Sequence, residues 1–206
     1  MISIKNLDIR TNTLLVENMN ATFELNNIIG LSAPNGSGKT TLFKTICGLR
    51  SEIKGSIKII QEDLEKKDIK KQIFFFESSN WFNPNLTGKD YLMLINTQWS
   101  GDKRLINESI NIWNMNGFIN TKIKTYSLGM RQKLLLSLYY VSDTKYWILD
   151  EPTLALDKDS VEVLENFLLS QKSLGKCIIF SAHEDDQFYK ICDEKYTIEY
   201  GVFKKI

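Results

Sequence analysis

A glycine-rich stretch, APNGSGKTT at residues 33–41, holds the residue types that bind a phosphate chain. It follows the apolar run NIIGLS, so a predicted strand leads into a glycine loop and the loop into a helix that begins near Lys39. In that geometry backbone N–H groups and the positive end of the helix point at an anion. We therefore predict a triphosphate site, in which Lys39 reaches the β- and γ-phosphates and the Thr40 hydroxyl joins a Mg²⁺ shell.

The other residues of this loop are assigned from the same pattern, G-x-x-x-x-G-K-[ST]. Gly36 and Gly38 occupy the tight part of the turn, where the main chain approaches phosphate oxygens or takes a positive φ. Ala33 stands where the pattern has its first glycine, and a methyl group fits there if φ is negative. The alternative is a turn that only caps a helix. The predicted phosphate-binding residues are Asn35, Gly36, Ser37, Gly38, Lys39, Thr40 and Thr41, the last near the α-phosphate.

Two neighbouring carboxylates follow a second apolar run, in KYWILDEPTLALD at residues 145–157. Asp150 ends the predicted strand, at the sheet edge where open α/β proteins bind ligands, and is predicted to hold Mg²⁺ through water. Glu151 is predicted to orient and polarise the water that attacks the γ-phosphate. Such a pair alone is more often a solvated turn or a helix cap, but its position behind a phosphate loop favours catalysis.

The only histidine, His183, follows the predicted strand CIIFS at residues 177–181. A lone histidine is often a surface residue or a hydrogen-bonded core residue. At the carboxyl end of a core strand it can instead donate a hydrogen bond to the γ-phosphate and the attacking water. Glu151 and His183 are therefore the predicted catalytic residues.

The elements that must position these side chains form an α/β pattern. A helix is predicted from Lys39 to Cys47, and helical periodicity dominates from about residue 78 to residue 141, which predicts a helical sub-domain within one domain of residues 1–206. Later strands alternate with helices, which predicts a mostly parallel sheet. The predicted strands are residues 2–9, 21–25, 28–32, 56–60, 72–76, 146–150, 177–181 and 195–200.

Composition excludes several classes of function. The chain has 206 residues, 43% hydrophobic content and a net charge of +1, so it has no overall field that would attract nucleic acid. Three widely spaced cysteines fit reduced thiols in a cytosolic protein better than a disulfide framework or a metal site. The apolar runs fall short of the ~20 residues that a membrane helix needs, and no leader pattern opens the chain. A role at a membrane would therefore require a partner.

Together these motifs resemble the nucleotide-binding subunit of an ABC (ATP-binding cassette) transporter over essentially the full chain. The deciding element is YSLGMRQK at residues 126–133, which is similar to the family's signature in the Ser-Leu-Gly-Met form of bacterial ABC-2-type exporters. The resemblance implies a P-loop NTPase cassette with a mostly parallel core sheet, an N-terminal antiparallel β part and a helical sub-domain. It also implies a Mg²⁺-dependent ATPase that powers transport, in the export direction.

The same resemblance implies partners. Ser127 and Gly129 would bind the γ-phosphate of ATP held by the other protomer, and Asp157 would cross that interface. The implied assembly is a homodimer, or a heterodimer of two cassettes, around two ATP molecules. It would lie on the cytoplasmic face of the cell membrane, bound to a separately encoded transmembrane permease.

Two positions depart from the family pattern. The stretch IRTNTLL at residues 9–15 lacks the aromatic residue that is expected to stack on adenine. The glutamine expected after the strand in QIFFFESSNWF is replaced by Glu77 or Ser78, depending on alignment. Either side chain offers an oxygen ligand, and we predict Glu77 as a metal ligand.

Aromatic residues cluster around this second position. Phe74, Phe75 and Phe76 are interpreted as core residues of a strand. Trp81 and Phe82 are interpreted as lining a groove that receives a short helix of a membrane partner. Trp99 and Trp113 are predicted to pack within the helical segment.

Two other functions share the same motifs. One is a soluble ABC-type ATPase that acts as an assembly scaffold or an ATP-switched clamp. The other is a subunit that binds ATP without hydrolysing it, against which Glu151 and His183 argue.

Overall fold

The computed structural model describes residues 1–11, 13–50, 53–59, 69–182 and 187–206. Short 3₁₀ turns connect several of the helices and strands. The helices are α1 (Lys39–Ile46), α2 (Gly88–Trp99), α3 (Arg104–Ile112), α4 (Leu128–Ser142) and α5 (Lys158–Ser173). The strands are β1 (Ile2–Arg10), β2 (Leu14–Phe23), β3 (Asn27–Ser32), β4 (Ile53–Ile59), β5 (Ile73–Phe75), β6 (Tyr146–Leu149), β7 (Cys177–Ser181), β8 (Glu194–Glu199) and β9 (Val202–Lys205).

A six-stranded sheet in the order β5-β6-β7-β3-β8-β9 forms the centre of the molecule. Its first five strands are parallel, and only β9 runs antiparallel, in a hairpin with β8. Strands β3, β6 and β7 are almost continuously apolar because both faces of the sheet are covered. Since β6, β7 and β3 are direct neighbours, their carboxyl ends meet at one edge of the sheet.

The N-terminal strands form a separate three-stranded antiparallel sheet in the order β2-β1-β4. One hydrophobic cluster joins this sheet, the buried side of α1 and one face of the central sheet, with Phe43 fully buried among them. A second cluster covers the opposite face with residues from α2 to α5. These features confirm the predicted class, an α/β fold with a mostly parallel core sheet and an antiparallel N-terminal part.

Several strand predictions need correction, among them β4, which begins at Ile53, three residues before the predicted start at residue 56. Strand β2 begins at Leu14, seven residues before the predicted start at residue 21. Its solvent side carries Glu and Asn, which concealed the alternation, while Val16 and Met19 are buried. Strand β9 was not predicted, because VFKK is short and mostly exposed and is a strand only through its pairing with β8.

Three helices, α2, α3 and α4, lie between β5 and β6. Helix α2 begins with a capping box, in which the Thr87 hydroxyl accepts from the Asp90 N–H and the Asp90 carboxylate accepts from the Thr87 N–H. Helix α4 packs against both α2 and the sheet. The assignment of residues 78–141 to a sub-domain of its own stays a prediction.

The division of the aromatic residues between core and surface differs in part from the one predicted from the sequence. Phe82 is 6% exposed and stacks on Phe76, so it belongs to the core and does not line an open groove. Trp81 is 63% exposed. Trp113 is buried against a ring of α5, and Trp99 packs edge-on against Phe74 of β5, so both tryptophans have a packing role, but their ring partners lie outside the helical segment where packing was predicted.

All three cysteines carry free thiols. Burial raises the pKa of the Cys47, Cys177 and Cys192 thiols to about 12. A thiol with so high a pKa is a poor nucleophile and metal ligand, so we assign these residues a packing role.

Candidate functional site

The glycine loop between β3 and α1 has the conformation that its sequence predicts. Gly36 and Gly38 take φ values of 81° and 101°, and Gly38 is the N-cap of α1. A Cβ atom on Gly38 would lie 3.2 Å from the Leu15 side chain, so this position needs glycine for both its conformation and its space. Ala33 keeps a negative φ, which explains why alanine is accepted at the first position of the loop.

Lys39 is the first residue of α1, and its side chain reaches back into the glycine loop. The whole residue is only 8% exposed. The Nζ atom donates hydrogen bonds to the carbonyl oxygens of Ala33, at 2.5 Å, and Pro34, at 3.4 Å. A buried ammonium group needs such acceptors, and the stronger acceptors of a phosphate group can compete for the same protons.

A second group of polar side chains forms where β6 and β7 end beside α1. The Thr40 hydroxyl donates to Asp150 Oδ2 and the Ser181 hydroxyl donates to Asp150 Oδ1, both at 2.5 Å. Register explains the second contact, since Leu149 pairs with Phe180 and the next residue of each strand stands at the sheet edge. The carboxylate of Asp150 is therefore fixed by hydroxyl groups from two different elements.

Glu151 follows Asp150 in an unusual backbone conformation. Its φ is 47°, a left-handed value that a non-glycine residue adopts at a cost of about 1–3 kcal/mol. The backbone N–H donates to Ser181 Oγ at 2.9 Å, which helps to hold this conformation. Such strain is common where a side chain must be presented for function.

These groups surround one cavity of about 520 Å³, which we call the edge cavity. It unites residues of the glycine loop with both carboxylates, although more than 100 residues separate them in the chain. Its predicted site residues are Asn35, Gly36, Gly38, Lys39, Thr40, Thr41, Glu77, Asp150 and Glu151, and its other lining residues are Thr11, Leu15, Ser78, Ser79, Gln132, Leu135 and Leu154. Ser37 belongs to the loop but does not line the cavity, and its hydroxyl is buried with no hydrogen-bond partner among the described residues.

Ser127, Gly129 and Asp157, three further predicted residues, lie outside the edge cavity. Ser127 caps α4 by accepting from the Met130 N–H, and Asp157 caps α5 by accepting from the Ser160 N–H at 2.8 Å. Hydrogen bonds from Ser160 lower the pKa of the Asp157 carboxyl. A Cβ atom on Gly129 would lie 3.0 Å from the Ala155 carbonyl oxygen, so little room exists for a side chain. The predicted catalytic residue His183 lies outside the described residues.

Glu77 lies in the edge cavity with a charged partner that the sequence did not indicate. Its Oε1 atom is 2.6 Å from Lys44 Nζ, in the last turn of α1, while its Oε2 atom is buried without a hydrogen-bond partner among the described residues. Ser78, the alternative residue for this position, also lines the cavity, but its hydroxyl accepts from the Asn80 N–H and caps a 3₁₀ turn. Glu77, unlike Ser78, therefore keeps a side-chain oxygen that has no hydrogen-bond partner among the described residues.

We predict that Lys44→Met weakens ATP binding in the absence of Mg²⁺ by about threefold to tenfold, because the uncompensated Glu77 carboxylate then repels the phosphates. The double variant Lys44→Met, Glu77→Gln should bind as tightly as Glu77→Gln alone. Titration calorimetry in a metal chelator measures both. The control is Lys54→Met, since Lys54 pairs with Asp8 outside the cavity. Equal losses in the single and double Lys44 variants would contradict this charge compensation.

Several residues of the site were not predicted. Ser181 is fully buried at the end of an apolar strand. The one feature of the sequence that could have indicated it is a hydroxyl residue at the carboxyl end of a predicted strand. Gln132, on α4, donates to the Pro152 carbonyl oxygen at 2.9 Å and connects that helix to the loop after β6. Thr11 and Leu15, from the stretch in which an aromatic residue was expected, also line the cavity.

The fold and site together define a class of protein. A glycine loop at a helix N-terminus, with a carboxylate from a neighbouring parallel strand, is a phosphate-binding arrangement on an α/β sheet. The family model described as ABC transporter matches residues 16–154, more than half of the chain. This chain belongs to the ABC transporter family, an ATP-binding and ATP-hydrolysing family.

Individual relatives agree with this assignment. The chain is 34% identical to the cytochrome c biogenesis ATP-binding export protein CcmA of Reclinomonas americana, over 86% of this chain and 82% of that protein. It is 30% identical to the lantibiotic transport ATP-binding protein SrtF of Streptococcus pyogenes, over 82% of this chain and 73% of that protein. A solved ATP-binding subunit of an ABC transporter superposes with a TM-score of 0.87 at 21% identity, covering 100% of this chain and 90% of that one, which shows the shared fold.

Proposed function

We propose that this chain binds MgATP in the edge cavity and hydrolyses its γ-phosphate to drive transport through a separately encoded membrane protein. The observation that supports this most is the convergence of Lys39, Thr40, Asp150 and Glu151 on one cavity at the sheet edge. Lys39 and the N–H groups of the glycine loop bind the β- and γ-phosphates. Asn35 and Thr41, which line the cavity, add polar contacts along the phosphate chain.

The residues present fit Mg²⁺. The Thr40 hydroxyl and the Asp150 carboxylate are the hard oxygen ligands that this ion prefers, and they already lie in contact. Glu77, which lines the same cavity, offers a third candidate oxygen. A bound Mg²⁺ ion would neutralise charge that develops on the phosphate oxygens.

Glu151 acts as the residue that orients and polarises the attacking water. Glu151 lines the same cavity as Lys39, and the Ser181 hydroxyl accepts a hydrogen bond from its backbone N–H. In this proposal His183 contacts the γ-phosphate, because it follows β7 two residues after Ser181. Together the two residues place a base and a hydrogen-bond donor on the transferred phosphate.

The site is completed by a second cassette. Ser127 and Gly129 stand at the N-terminus of α4, which is suited to a phosphate group, but outside the cavity that contains Lys39. In a head-to-tail pair each chain offers this helix end to the ATP of the other, and Asp157 lies at the interface. The partner is a second copy of this chain or a related cassette.

Transport is the proposed task because the relatives include ATP-binding proteins named for cytochrome c biogenesis export and for lantibiotic transport. Among the described residues, no helix has both the length and the apolar character to cross a membrane. From the names of these relatives we propose a permease partner and a location on the cytoplasmic face of the membrane. The alternative is a soluble assembly scaffold or ATP-switched clamp. Co-purification with an integral membrane protein supports transport, and co-purification with only a soluble assembly favours the alternative.

The test of nucleotide recognition is titration calorimetry with ATP and with AMP, both with Mg²⁺. Most of the assigned residues are proposed to contact the β- and γ-phosphates, which AMP lacks. ATP should therefore bind more tightly than AMP by at least about tenfold. Equal affinities would contradict the proposed site.

We predict that Ser181→Ala slows hydrolysis and destabilises the fold by about 1–3 kcal/mol, because Asp150 loses a donor and the Glu151 N–H loses its acceptor. Phosphate release and denaturant unfolding measure the two effects. Ser137→Ala is the matched control, since Ser137 is equally buried and bonds to Lys133 within α4. If both variants hydrolyse ATP at the wild-type rate, Ser181 has only a structural role.

A further inference from the structure

The hairpin turn between β8 and β9 carries an aromatic residue that the fold does not require. Glu199 pairs with Val202, which leaves Tyr200 and Gly201 as a two-residue turn with φ values of 51° and 79°. Positive φ at both positions is the type I′ pattern, which strongly prefers Asn-Gly. Tyr200 occupies the Asn position and is fully exposed, with a relative exposure of 104%. Neither packing nor turn geometry therefore explains a tyrosine here.

This turn lies at the same edge of the sheet as the glycine loop. Strand β8 runs parallel to β3, with Thr197 beside Ser32, so the residues that follow each strand emerge on the same side. The Glu17 N–H donates to the Gly201 carbonyl oxygen at 2.8 Å, which fixes the turn against β2. A Cβ atom on Gly201 would be 3.9 Å from the Leu15 carbonyl oxygen. Tyr200 is thus next in the chain to a residue that is hydrogen-bonded to β2 two residues beyond Leu15, a residue that lines the edge cavity.

Leu15 connects the turn to the phosphate site. Its side chain lies next to Gly38 and lines the edge cavity together with Thr11. Both residues are small or aliphatic, and none of the described residues that line the cavity is aromatic. A base attached to phosphates in the glycine loop would therefore find the aliphatic side chain of Leu15 and no aromatic ring among the described lining residues.

We propose that Tyr200 supplies a stacking surface for the adenine base of ATP bound in the edge cavity. This assignment rests on the proposed function and adds the residue that contacts the base. An aromatic ring stacks on any nucleobase through their π faces. The backbone strain and solvent exposure of Tyr200 are then explained by a ligand, since observed strain at a non-glycine residue often marks a binding site.

The experiment compares ATP with inorganic tripolyphosphate, which has phosphates but no base, by titration calorimetry with Mg²⁺. Tyr200→Asn creates the preferred Asn-Gly turn, so its thermal unfolding temperature should equal or exceed that of the wild type. Its ATP dissociation constant should rise about tenfold, whereas its tripolyphosphate affinity should not change. Tyr200→Phe should bind ATP like the wild type. Val202→Ala, an exposed position of the same hairpin, is the control.

The outcomes separate this proposal from the function on which it rests. Wild-type ATP affinity in Tyr200→Asn would overturn the stacking role while leaving the ATP site intact. Equal weakening of ATP and tripolyphosphate would also overturn it, because the turn would then act on the phosphate loop and not on the base. If the wild type binds neither ligand, the proposed function itself is wrong.

Discussion

Glu151→Gln should lower the rate of phosphate release by about 10²–10⁴-fold, the usual contribution of a positioned general base. Glutamine keeps the shape of the side chain but cannot polarise the attacking water in the same way. The phosphate ligands in the glycine loop are untouched, so ATP affinity should be retained. Steady-state phosphate release and titration calorimetry, performed on the same preparation, measure the two quantities.

The same variant should accumulate as an ATP-bound pair of chains, because the step that separates them is slowed. Size-exclusion chromatography with and without ATP detects the pair. Asp159→Asn is a suitable control, since Asp159 is an exposed carboxylate in the first turn of α5 and does not line the edge cavity. Equal turnover in wild type and Glu151→Gln would refute the assigned role.

Lys39→Ala should weaken ATP binding by about tenfold to a hundredfold. Hydrogen bonds from a charged donor contribute about 1.5–3 kcal/mol, and each 1.4 kcal/mol changes a dissociation constant tenfold. The affinity for inorganic tripolyphosphate should fall to the same extent, because Lys39 is proposed to bind the phosphates and not the base. Titration calorimetry with both ligands checks this expectation.

Because Lys39 is buried against carbonyl oxygens of its own loop, its removal also tests the fold. The melting temperature of Lys39→Ala should therefore be measured alongside binding. Lys58→Ala, on the exposed side of β4, removes a similar charge from a residue that does not line the edge cavity. An unchanged nucleotide titration in a folded Lys39→Ala variant would contradict the phosphate-loop assignment.

Local patterns accounted for the central part of the site. The glycine loop, the start of α1 and the carboxylate at the end of β6 were predicted correctly, because glycine spacing and a short apolar run each encode one conformation. The neighbouring positions of β3, β6 and β7 could be expected only in general terms from the α/β alternation. Their order in the sheet required the structure.

Contacts between distant segments were not predictable. The partnership of Lys44 with Glu77 depends on how α1 packs beside β5, and neither residue has a local signal for the other. Ser181 looked like the last residue of an apolar strand, and only the strand register places it against Asp150. These contacts join residues that are 30 or more positions apart in sequence, and the periodicity of a local segment carries no information about such pairs.

The turn at Tyr200 shows a different limit. Sequence reasoning assigned Tyr200 to the end of a strand, because β-propensity favours tyrosine in a pattern such as KYTIEY. The structure ends β8 at Glu199 and places Tyr200 in the turn, since Val202 pairs back with Glu199. An aromatic residue in a strained, exposed turn became visible only after the register was known.

The most direct test of the account is steady-state phosphate release by the purified chain with ATP and Mg²⁺, measured over a range of protein concentrations. Two chains that complete each other's sites should give a specific activity that rises with protein concentration and is abolished by Lys39→Ala. Phosphate release that is absent at every concentration, or that survives Lys39→Ala, would contradict ATP hydrolysis at the edge cavity.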